Sequence, residues 1–144
     1  MTRLTASQAA GLTLSVARAI VAGAEAHAER LGIAISCAVV DSGDQLVAFE
    51  RMDGADLVTI SLAKDKAFTA LVNHMPTSEL APMVQPGTEF YGSDSLAGGR
   101  MIVFGGGLPL ELAGVLVGAV GVSGGSAEQD EACAAAGLES TRRN

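Results

Sequence analysis

Residues 115–122, Val-Leu-Val-Gly-Ala-Val-Gly-Val, restrict the fold more than any other stretch of the chain. Eight apolar residues are too few for a typical helix and offer solvent no polar side chain, so the run reads as a strand covered on both faces. Its glycines, Gly118 and Gly121, weaken a strand interior unless another backbone or a ligand comes close. The strand is therefore central, and something packs tightly against it. The chain has 144 residues, enough for one domain, 1–144, that buries its own core without disulfide or metal. Only 140–144 reads as a frayed tail.

Other elements arrange themselves around this strand. Thr5-Ala-Ser-Gln8 has capping-box spacing and opens a helix, along which Leu12, Val16, Ile20 and Gly23 recur until Leu31-Gly32 stops it. Ile33–Val40 is rich in Ile, Val and Ala and reads as a buried strand. Asp41-Ser-Gly-Asp44 turns the chain, and Leu46–Met52 returns as the other arm of a hairpin. Asp56 is placed to cap a second helix, Leu57–His74, which Pro76 forbids from continuing. About 25 residues follow to Arg100, longer than most loops in a compact domain, and are expected to wall a pocket or meet another subunit. Met101–Phe104 reads as a short strand, Gly105–Pro109 as a tight turn, and Leu110–Leu112 as a further extended piece before the central strand. Ser126 to Gln129 repeats the capping-box spacing and opens a last helix ending near Gly137. The expected fold is α+β, an antiparallel sheet of about five strands flanked by helices.

Composition excludes several functions. The net charge of −7 opposes nucleic-acid binding, which needs clustered Lys and Arg. No apolar run approaches the length of a membrane span. Cys37 and Cys133 are isolated and read as small core residues; with no signal-peptide pattern at the front, they point to a reduced, bacterial-type cytoplasm. Zinc spacing, a P-loop and a nucleophile elbow are all missing. In Gly121–Asp130, GVSGGSAEQD, the acids of the first helical turn repel a phosphate and the caps take the free amides. Gly124 and Gly125 therefore read as a strand-to-helix exit on the rim of a pocket.

Five stretches, AVVDSGDQLVAFERMDGA (38–55), AKDKAFTA (63–70), MPTSELAPMVQPG (75–87), GGRMIVFGGGLPL (98–110) and VGAVGVSGGSAEQDE (117–131), resemble the GlcG/HbpS-type family in order and content. That family, also described as haem-degrading or DUF336 domains, is related to the C-terminal domain of PduO-type proteins. The resemblance implies a profilin-like α/β/α domain that assembles as dimers and often octamer-like rings. It also implies binding of haem or another flat tetrapyrrole, for sequestration, sensing or slow degradation. It names no single iron ligand.

Candidate residues each keep two readings. His74, at the end of the second helix, either caps the helix dipole or ligates iron; His27 is either solvated or a ligand. Tyr91 either stacks on a ligand or fills an interface. Lys66, matching the family's Lys-Ala pair, either pairs with Asp41 or Asp53 or meets a carboxylate. Arg51 either pairs with Asp53 or binds a carboxylate in a fork. Gly106 and Gly107 either form a plain turn or bring amides to an anion. The rival function is a small cofactor-independent enzyme of organic-acid or aromatic catabolism, in which Asp41, Lys66 and Asp53 transfer protons from one edge of the sheet.

Overall fold

The computed structural model describes residues 2–142. The N-terminal helical segment is split into α1 (Ala6–Ala9) and α2 (Leu14–Leu31). Thr5 and Gln8 form the expected capping box. Gly11 then takes φ of 111°, a backbone closed to other residues, and Leu12 turns into the core with no exposure. Thr13 caps the chain afresh by accepting from the Val16 amide.

After α2 come β1 (Ser36–Asp41), β2 (Leu46–Arg51) and α3 (Val58–Asn73). Three short 3₁₀ turns and a kinked turn, α4 (Leu96–Gly99), occupy the long connection; β3 (Gly107–Leu112), β4 (Val115–Ser123) and α5 (Ala127–Glu139) complete the chain. The sheet is antiparallel throughout, in the order β2-β1-β4-β3, with β4 central as expected. It has four strands rather than five. Met101–Phe104 runs over α3 and finds its partners in side chains: Thr69 Oγ1 donates to the Arg100 carbonyl and accepts from the Ile102 amide. The glycine run is no tight turn either. Gly106 already accepts from the Val122 amide, Gly107 begins β3, and Pro109 is tolerated because β3 is an edge strand.

Helix α3 covers one face of the sheet, and α2 with α5 cover the other. A methyl on Gly121 would overlap the Ala63 carbonyl, and one on Gly118 the Val40 carbonyl, so backbone is what approaches the strand glycines. With Ala63, Ala67 and Ala70 buried beneath it, α3 lies flat on β4. Helix α5 ends at Glu139, close to Gly137 as expected, and Gly137 lets α2 cross closely, since a Cβ there would come 2.5 Å from the Ile20 carbonyl oxygen. Cys37 and Cys133 are buried free thiols in this second layer. Of the expected frayed tail, Ser140 donates to the Ala19 carbonyl and Thr141 to Leu138, while 143–144 lie outside the described residues. Among the described residues, no helix is long and apolar enough to cross a membrane.

Candidate functional site

Two features stand out along α3. The first is charged and buried. Lys66, on the sheet-facing side of α3, is 1% exposed, and its Nζ lies 2.8 Å from Oδ2 of Asp130, itself 2% exposed. The ammonium also donates to the Val122 carbonyl at 3.0 Å and sits 5.0 Å from the Phe104 ring centre, so two of its donors are hydrogen-bonded and its charge lies against an aromatic face. Asp130 Oδ1 accepts from the Gly125 amide at 2.8 Å. Burial pushes the Lys66 pKa down and the Asp130 pKa up, and in each case the partner's opposite charge resists the change.

The glycines around this pair are there to make room. A Cβ on Gly106 would come 2.7 Å from Lys66 Nζ, and one on Gly107 2.8 Å from Thr77 Cγ2. Gly124, at φ of 153°, fits against the backbone of Ala34 and Ile35. Gly106, Gly107, Gly124 and Gly125 thus enclose an ion pair. The partner of Lys66 is neither Asp41 nor Asp53, because the three are dispersed. Asp41 Oδ1 accepts from the Gly43 and Gln45 amides and closes the β1–β2 hairpin, whereas Asp53 is exposed beyond the opposite end of β2. The two therefore do not share one edge of the sheet with Lys66.

The second feature is an apolar cleft of about 370 Å³ between the end of α3 and the long connection. Its floor is the Met101–Val103 segment, suspended by two hydroxyls: Thr69 Oγ1 holds the N-terminal end, and Thr77 Oγ1 donates to the Phe104 carbonyl while accepting from the Gly107 amide. Pro76 ends the helical course and Leu80 and Val84 turn inward, 7% and 9% exposed. Met75, Met83, Phe90 and Leu96 complete the apolar wall, and Asn73 and Ser93 provide its polar groups. The long connection is therefore a pocket wall, as its length suggested. The volume lies within the range of about 300–1,000 Å³ usual for small-molecule sites.

The remaining candidates lie apart. His74 is the left-handed cap residue of α3, with φ of 52°, and its Nε2 meets Glu111 on β3 instead of the helix carbonyls. His27 lies on α2, in the other helical layer, where Nδ1 accepts from Arg30. Tyr91 is 66% exposed beside Phe90 and does not line the cleft. Arg51 forms no ion pair with Asp53 among the described residues. Five residues of these features have no motif in the sequence. Asp130 looked like an ordinary first-turn acid; Met75, Met83 and Met101 are far apart in sequence; and Arg100, which bridges Asp44 and Asp65 over the Phe68 ring, carried no motif. Among the described residues, no three His, Cys, Asp or Glu side chains cluster to hold a metal ion.

Known proteins are similar to this chain in sequence and fold. An uncharacterised 15.0 kDa protein from the dhaT-dhaS intergenic region of Citrobacter freundii is 38% identical over 132 residues, covering 92% of this chain and 93% of that one. Protein ORFY of Klebsiella pneumoniae superposes with a TM-score of 0.90 at 35% identity, over 92% of both chains. A crystal structure of a PduOC:heme complex superposes with a TM-score of 0.86 at 35% identity, over 90% of this chain and 94% of that one. The family model described as "Haem degrading protein HbpS-like" matches residues 12–139, and the chain belongs to this HbpS-like family, the group its sequence motifs resemble.

Proposed function

We propose that this protein binds haem or a closely related flat tetrapyrrole in the apolar cleft, for sequestration, sensing or slow degradation. The observation that carries the reading is the cleft itself, a mostly apolar cavity of about 370 Å³ in a fold whose relative is described as a haem complex. Phe90 and Leu96 from the loop, and Met101 and Val103 from the floor, would lie against the macrocycle. A bound haem would supply a redox-active iron; the chain supplies the apolar slot that keeps one macrocycle from stacking on another in water.

The charged residues favour a binding role over proton transfer. Lys66 is enclosed and paired with Asp130, and Asp41 and Asp53 stand at opposite ends of β2, so these three residues do not face a common space. The protein is proposed to work as a cytoplasmic homo-oligomer built from dimers. Leu57, Val58 and Val115 are each more than half exposed, and β2 and β3 leave two sheet edges unpaired within the chain.

The test is a haemin titration followed by absorbance, with native mass measured before and after. Saturable binding at one haemin per chain, on an oligomer of fixed mass, is expected. Leu80→Glu, which puts a carboxylate into the cleft wall, should weaken binding tenfold or more. Absence of saturable binding, or a Leu80→Glu variant that binds normally, would overturn the reading.

A further inference from the structure

The donor set of the cleft bears on what kind of tetrapyrrole it takes. Haem iron in proteins is held by His, Cys, Tyr or Met. Among the described residues, the cleft lining contains no His, Cys or Tyr; its only candidate ligands are the thioethers of Met75, Met83 and Met101. His74 is turned to Glu111, and His27 lies in the other helical layer. Both cysteines are fully buried in the core of that second layer. The Met101 sulfur already accepts from Asn73 Nδ2 at 3.7 Å. Thioethers are soft ligands suited to low-valent metals and bind ferric iron weakly without a stronger partner.

Charge is equally sparse. Among the described residues no Lys or Arg lines the cleft, Lys66 is committed to Asp130, and Arg100 to Asp44 and Asp65. Propionate groups therefore find no cation in the slot and project to solvent, on a chain of net charge −7. Resting on the tetrapyrrole reading above, we infer that the site recognises the apolar face of the macrocycle and not its metal, so that metal-free porphyrins are ligands of the same rank as haemin. The cleft is in this sense a general porphyrin slot.

The experiment titrates the full chain with protoporphyrin IX, followed by its fluorescence, and with haemin, followed by absorbance, in one buffer. A combined Met75→Leu, Met83→Leu, Met101→Leu variant is tested alongside; Met-to-Leu exchange conserves volume, and its far-UV circular dichroism should match the parent. Dissociation constants within about threefold for the two ligands are expected, with the Soret position of bound haemin unmoved in the triple variant and any change in affinity the same for both ligands. Haemin binding tenfold or more tighter than protoporphyrin IX, or a Soret shift and tenfold loss in the triple variant, overturns the inference and leaves the tetrapyrrole reading standing. Binding of neither ligand overturns both.

Discussion

Replacing Asp130 by Asn tests the buried ion pair, because the amide keeps the shape and still accepts from Gly125 while removing the charge that faces Lys66. The ammonium would remain 1% exposed, with only the Val122 carbonyl and the Phe104 face to stabilise it. Breaking a buried pair in this way costs about 3–5 kcal/mol. The ceiling comes from the alternative of folding with Lys66 neutral. From an ordinary pKa of 10.5, deprotonation at pH 7 costs about 1.4 kcal/mol per unit over roughly 3.5 units, or about 5 kcal/mol. The two routes agree, and the loss is a large share of the about 5–15 kcal/mol that holds a domain together. With a urea slope of about 2 kcal/mol/M, the midpoint should fall by roughly 1.5–2.5 M at fixed protein concentration.

The pH dependence has a definite sign. In the variant the folded-state pKa of Lys66 lies below its unfolded value, so the unfolded chain binds the extra proton and stability rises as pH increases towards 10.5. The deficit against the parent should therefore narrow between pH 7 and pH 10. Lys66→Met combined with Asp130→Leu should recover most of the loss, since a buried pair exchanged for apolar groups of similar volume is often neutral. A drop below about 1 kcal/mol for Asp130→Asn, or a deficit that widens with pH, would refute the assignment of a charged pair to this site.

Two further perturbations probe the frame around the site. Gly121→Ala would drive a methyl into the Ala63 carbonyl and lift α3 from β4; a loss of about 3 kcal/mol or more is expected in urea unfolding, and a neutral result would show that the helix is not seated so closely. Burial and the neighbouring Glu50 carboxylate raise the Glu25 pKa from 4.5 to about 7. Its protonated form is thus favoured by folding, so the associated stability is full below pH 4.5 and is lost as pH rises through about 7. Unfolding midpoints measured across this window should decline with pH in the parent and flatten in Glu25→Gln; identical slopes would remove Glu25 as the cause.

What could be read from the chain depended on whether the signal was local. Capping boxes at Thr5 and Ser126 act within four residues, and both occur as spelled. The apolar run 115–122 forces a central strand whatever surrounds it, and it is one. Met101–Phe104 has the composition of a strand but lacks a neighbouring strand. Its Ile102 amide and Phe104 carbonyl are taken by hydroxyls of Thr69 and Thr77, a choice made by tertiary position that no strand propensity encodes. Gly11 was masked in the same way by the helical spacing on either side of it.

The site was obscured for a related reason. Asp130 sits at the start of α5, where an acid is expected simply to complement the helix dipole. That expectation hides its burial against a lysine 64 residues away. Lys66 lies in a motif that marks it, yet the acids of the nearest turns, Asp41 and Asp53, are not its partners, and the one that is stands beyond the far end of β4. The cleft has no compact motif at all. Its thioethers come from the exit of α3, a 3₁₀ turn and the segment before β3, and they converge only because Thr69 and Thr77 hold Arg100–Gly107 beneath the loop. A site built from weakly coordinating, flexible side chains on three separate segments carries no spacing for a sequence to display, and such walls suit a broad apolar ligand face better than a single metal.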